Sequence, residues 1–298
     1  MMNLRSPLAA ALAALPVLAG PVLGQAPGDG PFRVDDIRWV NPPAAASPGV
    51  SHGTFESHSM GREVGYSIYL PPGYAEDAGP YPVVYWLHGR GGNEGDVRPA
   101  AALDRAIASG AAGPVVLVTA NGGIASGYID NPATGVMGES VVIDELIPHI
   151  EANYRVSTVR EGRGIGGFSM GGGGAVRLAI RHPRSFGAVF SLAGVLVGYQ
   201  QLMERNSVVD ADLARSHDPF PNAIDAVPRL RTMGMKLLVG SDDSWVAATR
   251  RFAAHLTHQN LEIDYSELPG IGHDLAAYLD QAGDEIFRFF SSNLEGGR

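Results

Sequence analysis

The sequence predicts an α/β protein, a single domain built on a mostly parallel sheet with helices on both faces. Three observations predict it. Four apolar runs rich in β-branched residues lie at 82–87, 115–120, 164–168 and 188–192, and a fifth and a sixth strand-like run follow at 236–240 and 261–268. Helix-like stretches at 99–109, 140–153, 170–181, 244–259 and 283–293 alternate with them. No internal repeat or second composition regime divides the 298 residues, a length at the upper end of what one core serves. Strands that are apolar throughout must be covered on both faces, and the crossover helices of a parallel sheet provide that cover.

The elements follow in order. Residues 1–26 read as a signal peptide: Arg5 supplies a positive start, an apolar stretch follows, and small residues around 22–26 offer cleavage sites. Pro16 and Pro21 interrupt the stretch, and it falls short of the roughly 20 apolar residues a membrane span needs. The expected destination is secreted or periplasmic, with no membrane span after cleavage. Residues 27–50 form an arm rich in Pro, Ala and Gly, with one apolar patch at 37–40. The main domain runs over 51–298. It opens with two extended segments, 52–57 and 64–70, the second alternating in polarity as a half-buried strand does. The segment 197–221 carries little periodicity and reads as an irregular loop forming a partial cap.

Composition excludes several function classes. The formal charge is −9, and Lys236 is the one lysine, so the clustered cations that replace counterions on nucleic acid are missing. The absence of cysteine excludes disulfides, thiolate metal sites and a cysteine nucleophile. His255 and His258 share a helical stretch, but the sequence shows no third ligand for a metal, and none is expected. Glu139 and Asp144 read as first-turn acids of a helix rather than a glycosidase pair.

The chemistry-bearing signal is Gly167-Phe168-Ser169-Met170-Gly171, a G-x-S-x-G between a strand and a helix. That context places a serine on a sharp, strained turn at the carboxyl edge of the sheet. A serine hydroxyl needs a base to take its proton. His273, in the glycine-bounded loop Gly270-Ile271-Gly272-His273-Asp274 after the last strand, reaches the same edge. His88, next to an apolar strand, is expected to be structural. The base needs an acid, and Asp242 and Asp243 follow the strand 236–240; loop length favours Asp243. The order Ser169, Asp243, His273 is that of α/β-hydrolases. The glycine-rich loop His88-Gly89-Arg90-Gly91-Gly92 offers an oxyanion donor, assigned to the Arg90 N–H, and the Met170 N–H offers the second. Trp245 and Tyr128 are candidates for contact with the substrate.

At these residues the chain resembles the putative-esterase family of α/β-hydrolases, which includes esterase D-like S-formylglutathione hydrolases, feruloyl and acetyl-xylan esterases, and mycolyltransferases. The stretches that carry the resemblance are Tyr69-Leu70-Pro71-Pro72-Gly73-Tyr74, Leu87-His88-Gly89-Arg90-Gly91-Gly92, Gly167-Phe168-Ser169-Met170-Gly171-Gly172 and Gly270-Ile271-Gly272-His273-Asp274. The resemblance implies hydrolysis of a carboxylic ester through an acyl-enzyme, without a cofactor, on small-molecule or carbohydrate esters such as feruloyl or acyl sugars. The rival readings are an acyltransferase of the mycolyltransferase type, an S-formylglutathione-type thioesterase, and a non-catalytic binding protein that keeps the fold. The last would lack a member of the triad, and all three residue types are present.

Overall fold

The computed structural model describes residues 32–75, 79–204 and 210–295. The segment read as a signal peptide, 1–26, lies outside them, as does the start of the arm. The rest of the arm carries a short 3-10 turn, Val34–Asp36, and buries Ile37 and Trp39 on the body.

Among the described residues one sheet has eight strands, in the spatial order β1-β2-β4-β3-β7-β8-β9-β10. Strands β1 (Val50–Ser57) and β2 (Arg62–Tyr69) form an antiparallel hairpin at one edge, and β2 also pairs antiparallel with β4 (Val116–Ala120). From β4 onward every pair is parallel, through β3 (Val83–Leu87), β7 (Arg163–Phe168), β8 (Ala188–Leu192), β9 (Gly234–Gly240) and β10 (Asp264–Leu268). Between β4 and β7 lies a two-stranded ribbon of β5 (Asp130–Asn131) and β6 (Val136–Met137).

Alternation along the central strands sends side chains to two separate cores. Val83, Tyr85 and Leu87 of β3 join one core, with Ile165, Val189 and Leu237 from neighbouring strands. Val84 and Trp86 join the other, with Phe190 and Leu238. The first core is closed by α4 (Met170–Arg181), α7 (Pro219–Leu230) and α8 (Val246–His258), which contribute Val176, Ala223 and Phe252. The second is closed by α1 (Arg98–Ala108) and α9 (Leu275–Asn293), which contribute Leu103 and Phe287. Gly164 and Gly166 face α9 so closely that a Cβ on either would come within 2.9 Å of the Phe290 ring. The glycines of β7 are thus the seat of a fully buried phenylalanine.

The helix expected over 140–153 is interrupted. It consists of α2 (Gly138–Ser140), a π-helical stretch Val141–Leu146 and α3 (Ile147–Asn153). Pro148 has no N–H to give and its ring crowds the carbonyl four residues back, so the wider π register falls where an α register would clash. The last helix begins at Leu275, not at residue 283, because Asp274 caps it by accepting the Ala276 N–H at 2.8 Å.

The segment 197–221 is a correction to the sequence reading: its described residues are largely helical rather than irregular. It contains α5 (Tyr199–Glu204), α6 (Ala211–Ser216) and the start of α7. Asp210 and Asp218 are the caps of α6 and α7, accepting the Leu213 and Phe220 N–H groups, and Pro219 stands in the first turn of α7. Helices this short show too few turns for a 3.6-residue period to register. A buried carboxylate ties this segment to the body: Glu139 accepts from Arg181 and His182 of the α4 end and from His217 after α6, at 3.0, 2.5 and 2.8 Å. Burial pushes the Glu139 carboxyl up, and the three donors more than reverse it, holding it well below the usual range.

Candidate active site

The parallel register aligns the carboxyl ends of β3, β7, β8, β9 and β10: Leu87 lies beside Gly167, Phe168 beside Leu192, and Gly240 beside Leu268. The loops leaving those ends carry Arg90, Ser169, Asp243 and His273, so residues distant in sequence meet along one edge.

Ser169 occupies the turn between β7 and α4 with φ 56° and ψ −114°, a left-handed conformation costly for a residue with a Cβ. The turn exists because the flanking glycines let β7, α4 and the end of β3 crowd together. A Cβ at Gly167 would lie 2.4 Å from the Leu87 carbonyl oxygen, and one at Gly171 would lie 1.9 Å from it. Hydrogen bonds then pin the strained residue: its N–H donates to the Leu192 carbonyl at 2.9 Å, and its carbonyl accepts the Gly173 and Val195 N–H groups at 3.0 Å.

His273 Nε2 lies 2.8 Å from Ser169 Oγ, and His273 Nδ1 lies 2.8 Å from Asp243 Oδ2. A carboxylate only accepts, so Nδ1 carries the proton and Nε2 accepts from the serine hydroxyl. The imidazole is also stacked on Phe168, ring centres 4.7 Å apart and planes 26° apart. Asp243 is the buried member of the aspartate doublet, with its side chain 0% exposed. Among the described residues its carboxylate takes donors from His273, from the Trp245 N–H and from the Tyr278 hydroxyl, each at 2.8 Å. Burial pushes the Asp243 carboxyl up, but these hydrogen bonds, that from His273 first, outweigh it and hold it below its usual value. Asp242 points into solvent and accepts the Ser241 hydroxyl.

The loop after β3 runs beside the serine: a Cβ on Gly89 would be 3.5 Å from that of Ser169. The Gly92 N–H returns to the Gly89 carbonyl at 3.0 Å, which leaves Arg90 and Gly91 at the tip of a β-turn. Met170, the first residue of α4, has one of the amides that no intrahelical carbonyl serves. His88 props the loop from beneath, with Nδ1–H donating to the Gly89 carbonyl at 2.8 Å and the Gly122 N–H reaching Nε2 at 3.4 Å. Burial lowers its pKa to about 4, so the ring is neutral as both bonds require.

The two residues expected to touch substrate fare differently. Tyr128 is fully buried, and its hydroxyl donates to the His88 carbonyl at 3.1 Å. This corrects the sequence reading: Tyr128 supports the loop through His88 and presents no surface to a substrate, because its ring is taken up in the core. Trp245 is half-buried beside the acid loop and packs on the small cluster of Ile129, Val197, Leu202 and Ala214 beneath α5 and α6. His255 is engaged with the Phe220 carbonyl at 2.7 Å. The sequence reading passed over Tyr278 and Phe168. Nothing distinguishes an aromatic residue in a helix turn or beside a serine from core until the loops are folded together.

Comparison with known proteins bears on the family and the fold. A curated esterase of Mycobacterium tuberculosis is 35% identical over 145 residues, 47% of this chain and 31% of that protein. An endo-1,4-beta-xylanase/feruloyl esterase of Xylanibacter ruminicola is 31% identical over 208 residues, 63% of this chain and 28% of that protein. The chain therefore spans about three-tenths of the length of these relatives. Among solved structures, a ferulic acid esterase superposes with TM-score 0.73 at 25% identity, over 82% of this chain and 98% of that one. An S-formylglutathione hydrolase from Agrobacterium tumefaciens shares the fold, with TM-score 0.69 at 19% identity over 84% of this chain and 98% of that one. The "Putative esterase" family matches residues 57–296, and the chain belongs to that family of the α/β-hydrolase fold.

Proposed function

We propose that the protein is a serine carboxylic-ester hydrolase acting through an acyl-enzyme, with Ser169 as nucleophile, His273 as general base and acid, and Asp243 as the residue that orients and stabilises the imidazolium. The carrying observation is the unbroken hydrogen-bonded line from Ser169 Oγ through His273 to the buried Asp243, 2.8 Å at each step.

In the first half-reaction Ser169 Oγ bonds to the ester carbonyl carbon while its proton passes to His273 Nε2. The Arg90 and Met170 N–H groups receive the negative charge that develops on the carbonyl oxygen. The tetrahedral adduct collapses, the C–O bond to the alcohol breaks, and Nε2 returns the proton to the departing oxygen. Water then repeats the sequence on the acyl-serine: Nε2 removes one proton, the hydroxide adds, and Ser169 Oγ leaves with that proton. The products are the free acid and the restored serine.

The kinship to esterases and a feruloyl esterase supports acyl or feruloyl esters of carbohydrates as the substrate class. The amino-terminal pattern supports export. Hydrolysis of p-nitrophenyl acetate by the wild type and by Ser169→Ala tests the reading. Turnover by the wild type and none by the folded variant supports it, and feruloyl, acetyl-sugar and thioester panels then locate the substrate. A folded wild type with no turnover on any of these refutes ester hydrolysis and favours the acyltransferase or the binding protein.

A further inference from the structure

The acid of the candidate triad is held by more than its histidine. Tyr278 lies in the first turns of α9, five positions after His273, and is fully buried. Its hydroxyl makes two bonds. It accepts the Gly240 N–H at 2.6 Å and donates to Asp243 Oδ2 at 2.8 Å. Gly240 is the last residue of β9, where the loop carrying Asp243 departs. One phenol thus fastens both the root of that loop and the carboxylate at its tip, and it shares with His273 Nδ1–H the same carboxylate oxygen.

We infer that Tyr278 is a positioning residue of the triad, which fixes the rotamer of Asp243 and, by sharing its negative charge, limits how strongly the carboxylate holds a proton on His273. The inference rests on the triad proposed above.

Two effects follow from these bonds. A carboxylate buried beside a histidine could swing so that either oxygen faced the ring, or turn away. The Trp245 N–H on Oδ1 and the Tyr278 O–H on Oδ2 leave one orientation, in which Oδ2 meets Nδ1. Second, a hydrogen bond to an ionised carboxylate withdraws part of its charge, which weakens its pairing with an imidazolium. Burial, first, and the bond to Asp243 push the Tyr278 phenol well above its usual range, so it remains a donor wherever an esterase would operate. The other ionisable groups nearby face elsewhere. Asp242 is exposed and bonded to Ser241, and Asp274 is exposed, caps α9 and interacts with Arg98.

The test removes or strengthens this one bond. In Tyr278→Phe, kcat should fall roughly tenfold, the usual scale for losing a hydrogen bond to a charged group. KM should be unchanged, and the acid limb of the kcat/KM profile should move to higher pH. A 3-fluorotyrosine placed at position 278, with a more acidic phenol and nearly the same shape, should move the limb to lower pH. Thermal melts of each variant set an assay temperature at which all are folded. An unmoved acid limb in both variants, with only the melting temperature lowered, overturns the inference and leaves Tyr278 as core. The 15N titration of the His273 imidazole, in wild type and both variants, gives the same comparison without turnover. Opposite displacements of its midpoint by Phe and by fluorotyrosine support the positioning role even if the wild type hydrolyses no ester. No displacement overturns it even if the wild type is an esterase.

Discussion

Acidification probes the support of the loop after β3 through His88. Its ring is 3% exposed, gives Nδ1–H to the Gly89 carbonyl and takes the Gly122 N–H at Nε2, so it has no place for a second proton. Burial carries its pKa from 6.5 down to about 4, against weaker upward effects of the Gly89 carbonyl and Asp96. Between pH 6.5 and 4 the unfolded chain protonates His88 and the folded chain does not, so stability present above pH 6.5 is lost as pH falls through that window. At 1.36 kcal/mol per unit, the loss is about 2 kcal/mol by pH 5 and about 3 kcal/mol by pH 4. That is a large share of a typical domain's stability, about 5–15 kcal/mol. The depressed carboxyls of Glu139 and Asp243 act in a lower window, because their stabilisation fades only below the unfolded values of 4.5 and 3.8. Urea midpoints at pH 7, 6 and 5 for the wild type and His88→Asn isolate the effect. The variant keeps every other histidine, so it should start less stable at pH 7 and lose about 2 kcal/mol less on going to pH 5. Parallel curves for the two proteins would refute the argument and show that the ring is protonated in place or the loop opens to admit it.

Three further perturbations follow from the same geometry. Ser169→Gly should be as inactive as Ser169→Ala but more stable than it by about 1 kcal/mol in urea, because glycine relieves the φ of 56° and loses some of that gain to chain entropy; equal stabilities would mean the turn is not strained. Asp243→Asn should lower kcat by about three to four orders of magnitude, while Asp242→Asn, at an exposed position, should change it little; steady-state kinetics showing the reverse would move the acid. Phe290→Ala should cost about 3–5 kcal/mol in chemical denaturation, since the glycines beneath it have no side chains to fill the space.

How much of this was legible in the sequence depends on how local each cause is. The strand Ala188–Leu192 and the helix Met170–Arg181 were readable to the residue, because continuous apolar character and a glycine elbow are properties of neighbours along the chain. The helix Leu275–Asn293 was read too short even though its cap, Asp274, was in view. The short helices Tyr199–Glu204 and Ala211–Ser216 were missed because each offers fewer than two turns of pattern. Tyr128 was misplaced for a different reason: an aromatic residue near a loop looks the same in sequence whether it lines a cleft or fills a core.

By itself the sequence determined the α/β class, the serine at a strand-to-helix turn and a histidine in the loop after the last strand, since each depends on residue type and spacing within a few positions. Tertiary structure decided between Asp242 and Asp243, because both follow the same strand and only burial and the reach of three donors separate them. It also decided the places of Tyr278, Phe168 and His88. Their roles lie in contacts across the sheet edge, between segments 30 to 104 residues apart, and those contacts exist only once the parallel register brings the strand ends level.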